Sequence, residues 1–97
     1  MTAVTLTMAI FAENLLTRFR VHTSSEAAVE LELIELSEGR ANPGHEIFSL
    51  TFRGPIEAFL GQGMVSMSHD GIGDFELFIV PVAQTSDGFL YEAVFNR

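Results

Sequence analysis

A chain of 97 residues and 10.7 kDa builds one small domain over 1–97 rather than two. Its 13 acidic and 5 basic residues give a net charge of −8, which disfavours phosphate backbones and anionic lipid, so neither nucleic acid nor membrane is an expected partner. An apolar content of 47% excludes disorder, and the absence of cysteine excludes disulfides and thiolate metal sites as sources of stability.

Thr7 is a capping residue, and Met8, Phe11 and Leu15 follow at helical spacing, so a short amphipathic helix is predicted over 8–16. At about two turns it needs a sheet to cover. Phe19 and Val21 then alternate with Arg18, Arg20 and His22, and Val29, Leu31 and Leu33 alternate with Glu30 and Glu32. Polar residues at 22–26 supply the turn of a hairpin. One register satisfies both of its faces: Arg20 opposite Glu30, Arg18 opposite Glu32, Val21 opposite Val29 and Phe19 opposite Leu31. Leu33 and Ile34 are adjacent apolar residues that break the alternation, which predicts a β-bulge there.

Gly39, Asn42, Pro43 and Gly44 mark 37–45 as an exposed loop. Phe48, Leu50 and Phe52 define a third strand that Gly54 and Pro55 terminate, since proline cannot donate to a ladder. The apolar segment 56–60 connects it to a fourth strand over 64–69, and Asp70, Gly71 and Gly73 turn the chain. The run 75–82 is apolar except for Glu76, the pattern of a strand buried on both faces. After a turn at 85–88, the sixth strand places Phe89, Tyr91, Ala93 and Phe95 on one face and Leu90 and Val94 on the other. Six strands and one short N-terminal helix in 97 residues predict a mainly β fold: an antiparallel meander forming a small curved sheet or barrel. Closure is favoured because no lysine guards the edges. The longest apolar stretch, 77–83, falls far short of the ~20 residues of a bilayer span. No basic region precedes the short apolar stretch 8–12, so a signal peptide is not expected. A cytoplasmic location is expected; leaderless export or incorporation in an extracellular assembly is also compatible with the sequence.

The strings SLTFRGP (49–55), QGMV (62–65), LFIVPV (77–82) and YEAVFN (91–96) give a further signal. Together they resemble a bacterial family of short β-rich proteins carried as a domain of unknown function. The resemblance runs over about 5–96, and its most specific parts are LFIVPV and YEAVFN. It implies no activity, cofactor or catalytic residue. It does imply a genomic setting sometimes near phage-tail-collar-like genes, and hence a role in assembly, which is association rather than mechanism.

Chemistry-bearing residues are sparse. His22, His45 and His69 lack the spacing of a metal site, although His69 and Asp70 lie near Asp74. They are expected as surface or strand-end histidines. Asp70 and Asp74 bracket two glycines, but a calcium site needs more oxygen ligands than that loop offers. Glu30 and Glu32 pair with arginines, so they read as a charge ladder rather than an acid–base pair. Gly61 and Gly63 are too weak a phosphate-loop signal, and Ser24 and Ser25 lack the glycines of a nucleophile elbow. No catalytic residue, metal or cofactor is therefore expected, and the protein is not expected to be an enzyme.

What remains is a surface. Strands five and six carry apolar residues on both faces, and one short helix can cover only part of the second. Phe78, Val80, Val82, Leu90 and Val94 are the interface candidates. The expected function is a non-enzymatic structural or interaction module that self-associates or joins a larger assembly through strand edges and this patch. The alternative is a barrel binding a small ligand in a cavity lined by some of its nine phenylalanines.

Overall fold

The period-two alternation of the sequence becomes six antiparallel strands, each turning one row of side chains inward. In the computed structural model, which describes residues 6–23, 28–39 and 47–96, these are β1 (Arg18–His22), β2 (Ala28–Glu38), β3 (Ile47–Gly54), β4 (Gly63–His69), β5 (Gly73–Thr85) and β6 (Gly88–Asn96). They close into a barrel in the order β1-β2-β3-β6-β5-β4. The β1–β2 register is the expected one, with Arg20 opposite Glu30 and Phe19 opposite Leu31. The β2–β3 register shifts between Leu33 and Glu35. This bulge lets Leu33 pair with Phe52 and Leu36 with Leu50, keeping both leucines inward across an odd residue spacing.

The barrel is two three-stranded meanders rather than one. The segment 55–62 leads from β3 to β4, which pairs with β1, so that β3 pairs with β6 instead. Pro55 cannot continue a ladder. By contrast, β6 offers Tyr91, Ala93 and Phe95 to Phe52, Leu50 and Phe48 along eight register pairs.

A closed barrel has no edges but two open ends, and each is sealed by a local device. At one end lies α1 (Met8–Ala12), capped as expected by Thr7, whose Oγ1 accepts from the Ile10 N–H at 3.2 Å. Its fully buried Phe11 sits against the rings of Phe19, Phe48, Phe75 and Phe95, with centroids 5.5–6.3 Å away. At the other end Leu60 is half-buried against the core. Its N–H donates to Tyr91 Oη at 2.9 Å, satisfying the hydroxyl of a residue with no exposed surface.

Four expectations need correction. The helix stops at Ala12 rather than residue 16. Asn14 Nδ2 donates back to the Ile10 carbonyl, and the Leu16 N–H donates to the Leu33 carbonyl, which ties the chain to β2. Leu15 is therefore exposed rather than on a buried helix face. Ser37 and Glu38 belong to β2, while the rest of the expected loop, 40–45, lies outside the described residues. The run 75–82 is buried on one face only: Leu77 and Ile79 point inward, whereas Phe78 and Val82 are about half exposed. The helix plugs the end of the barrel, so it does not cover that outer face.

Two backbone positions make opposite demands. Gly88 has φ +145°, and a Cβ there would lie 2.0 Å from the Gly54 carbonyl oxygen. Leu16 occupies the left-handed region at φ +67° with an exposed side chain. Gly88→Ala is expected to lower the unfolding free energy by roughly 2–4 kcal/mol. Leu16→Gly is expected to change it by less than about 1 kcal/mol, because relief of backbone strain offsets glycine's greater unfolded-state entropy. Urea denaturation of the two variants checks both values.

Candidate functional site

The outer face of β1–β3 is a charge ladder. Arg18, Glu32 and Arg53 form one row across three strands. Arg53 bonds Glu32 at 2.7 Å and Arg18 reaches diagonally to Glu30 at 3.4 Å. Arg20 turns to the neighbouring strand's turn and bonds Asp70 at 2.9 Å. Every described arginine is thus paired with a carboxylate, and exposed pairs of this kind contribute about 0–1 kcal/mol each. A groove of about 440 Å³ beside the ladder is lined by Arg18, Glu30, Glu32, Arg53 and Asp87 over a floor that includes Val29 and Pro55.

Histidine chemistry is structural in one case and superficial in another. His69 is buried at the end of β4. Its Nδ1 accepts from the backbone N–H groups of Gly71 (2.9 Å) and Ile72 (3.2 Å). The proton must then sit on Nε2, which donates to Thr17 Oγ1 at 2.7 Å, and Thr17 donates onward to the Asn14 carbonyl at 2.6 Å. The imidazole also packs on Phe19, with centroids 4.3 Å apart. It therefore joins the α1–β1 turn to the β4–β5 turn, and both ring nitrogens are occupied. Burial pushes its pKa below the ordinary value; nearby Asp70 opposes that shift and Arg20 adds to it. His22 is exposed and hydrogen-bonds Ser68 through Nε2. It borders a groove of about 350 Å³ with Ser66, Asp74, Phe75 and Glu76. His45, Ser24 and Ser25 lie outside the described residues.

The calcium reading of the Asp70–Asp74 loop gains nothing from the geometry. Asp70 is committed to Arg20, and Asp74 is an exposed β5 residue opposite Ser68. Among the described residues, no three histidine, aspartate or glutamate side chains gather as a metal site. Gly63 merely opens β4, and Gly61 sits in open space.

The remaining feature is the outer face of β4, β5 and β6. Phe78, Val82 and Val94 are exposed there, at 48%, 51% and 64%. Val80 and Leu90 are half-buried among them. The sequence reading overlooked Met64, which is 63% exposed and directly opposite Phe78. Its place was available from the turn: His69 opposite Gly73 fixes a register that carries Met64 to Phe78. Closure of the barrel pairs each strand on two sides, so the face rather than a free strand edge is what the fold presents.

Comparison with known proteins gives the family alone. The chain belongs to DUF6916, a domain of unknown function, whose match spans residues 6–95. No curated protein and no solved structure matches it. Among the described residues no helix is long and apolar enough to cross a membrane.

Two measurements follow from the His69 junction and the acidic turn. Because folded His69 refuses a proton that the unfolded chain accepts, stability should be level above about pH 6.5 and fall as the pH drops below it. Urea midpoints between pH 8 and 5.5 should show this slope in the native chain and a shallower one in His69→Gln. The melting temperature should not respond to EDTA or to millimolar calcium or zinc. A chelator-sensitive shift abolished by Asp70→Ala would instead establish a metal site.

Proposed function

We propose that this DUF6916 domain is a non-enzymatic protein-interaction module that assembles, with copies of itself or within a larger structure, through the outer face of β4, β5 and β6. The observation that carries this reading is the apolar surface made by Met64, Phe78, Val82 and Val94 on three adjacent strands. Contiguous exposed apolar area on a small domain marks a contact surface. The charged face of β1–β3 offers less, because its arginines are already satisfied within the chain. A bacterial setting and a phage-tail-like assembly, both implied by the sequence resemblance, are the finer form of the proposal.

The ligand-barrel alternative has weaker support. The phenylalanines pack on one another along the barrel, as in the Phe19–Phe52 contact at 5.3 Å and the Phe48–Phe95 stack at 4.5 Å. Both grooves described above are open and lined by charged groups, whereas a small-molecule site is usually concave and mostly apolar.

Light scattering across a wide concentration range tests the proposal. The native chain should form a defined oligomer, and Val80→Glu or Val94→Glu should reduce its mass while far-UV circular dichroism stays unchanged. An oligomer indifferent to both substitutions would exclude this face.

A further inference from the structure

Resting on that reading of the β4–β6 face, we propose that its occupant is a second copy of this chain, docked sheet to sheet about a two-fold axis running along β5. The first argument is area. Met64, Phe78, Val82 and Val94, with the half-buried Val80 and Leu90, expose roughly 500 Å² of apolar surface, within the range of the largest patches on single proteins. A standard interface takes about 800 Å² from each partner, of which somewhat more than half, or about 450 Å², is apolar. The patch is therefore large enough to be the apolar core of one standard interface, with Ser66, Glu76 and Gln62 bordering it and Glu92 between Leu90 and Val94 on β6.

The second argument is the order of residues across the strands. Met64 pairs with Phe78, and Val80 pairs with Glu92. The hydrogen-bonded pairs of β5 and β6 end at Val80 and Glu92, and the same register carried two residues further sets Phe78 level with Val94. One row therefore reads Met64, Phe78, Val94. The next reads Val80 and Glu92, and Gln62, one residue before β4, reaches the same level when the Gly63–Ile79 register is carried one residue further. A two-fold axis along β5 exchanges β4 with β6. Met64 of one copy then lies over Val94 of the other, and Gln62 lies over Glu92, while Phe78 and Val80 each meet their own counterparts. Apolar groups face apolar groups, and an amide donor faces a carboxylate acceptor. The alternative two-fold, across the strands, would lay β6 over β6, and with its axis on the Val80 row it would set Glu92 against Glu92. That like-charge contact is unfavourable, and Arg53, the cation diagonal to Glu92 on the adjoining β3, is already bonded to Glu32. Two twisted sheets pack in this aligned manner with their faces about 10 Å apart.

The chosen axis leaves one cost. Glu76, two residues before Phe78 on the same face, meets its own counterpart at the rim. The dimer should accordingly tighten several-fold on going from low to high salt, and Glu76→Gln should tighten it at low salt and flatten the salt response. An isologous dimer of this kind has one more signature. The chain has no cysteine, so single-cysteine variants treated with a short bis-maleimide that spans packed sheets report the axis directly. Val80→Cys should cross-link to itself efficiently. Met64→Cys and Val94→Cys should each link poorly alone and well when mixed. Equal linking at every position, or a native dimer in which Val80→Cys does not link, would overturn the axis. A native chain that stays monomeric at high concentration would overturn the second copy as occupant. If such a monomer instead took up a different purified protein, lost on Val94→Glu, the face reading would survive without this inference. A dimer unaffected by Val94→Glu would overturn both. The salt response of the unsubstituted chain gives an answer even if a cysteine variant fails to fold.

Discussion

A six-stranded barrel removes the problem of strand edges and creates another: its core is open at both ends. In a chain of 97 residues without disulfides there is little apolar mass to spare for sealing them. Phe11 closes one end by placing its ring among four others, and the 55–62 segment closes the second with Leu60 and the hydroxyl of Tyr91. Much else follows from these two seals. The helix needs only five residues because its task is to deliver one ring. The β3–β4 connection must cross the barrel end, and that crossing turns one meander into two.

The same economy explains the uncovered face. With the helix spent on a barrel end, no element remains to lie over β4, β5 and β6 among the described residues. Their outward side chains are nonetheless apolar, and Met64, Phe78 and Val94 cannot be accounted for by the barrel's own packing. On β1–β3 the outward positions are instead occupied by matched charges. The two sides of one barrel thus differ in kind, one self-satisfied and the other not.

Much of the architecture was legible in the residues, where two independent patterns agreed. Charge and hydrophobicity demanded the same β1–β2 register, and the adjacent Leu33 and Ile34 forced a bulge. Strand order was not legible, because the pairing of β3 with β6 and of β1 with β4 joins segments with no local signal between them. A continuous apolar run such as 75–82 reads alike whether its second face is covered within the chain or left outward. The helix end was missed because Asn14 and Leu16 act through contacts with Ile10 and Leu33 that helical spacing does not encode. The role of His69 was hidden for the same reason: its partner Thr17 is 52 positions away.

That separation has a kinetic meaning. The β1–β2 hairpin is local and can form early, but β1 meets β4 only through pairs such as Arg20 with Ser68. Barrel closure therefore waits on the loss of entropy from a long intervening loop. Thr17 and His69 lie beside that seam, so their hydrogen bond cannot form before the strands arrive. The N-terminal plug is expected to lock late, after the sheet has assembled. In the native state, the amides of Gly71 and Ile72 would then exchange with solvent when the plug releases, reporting an opening shared by two turns that are distant in the chain.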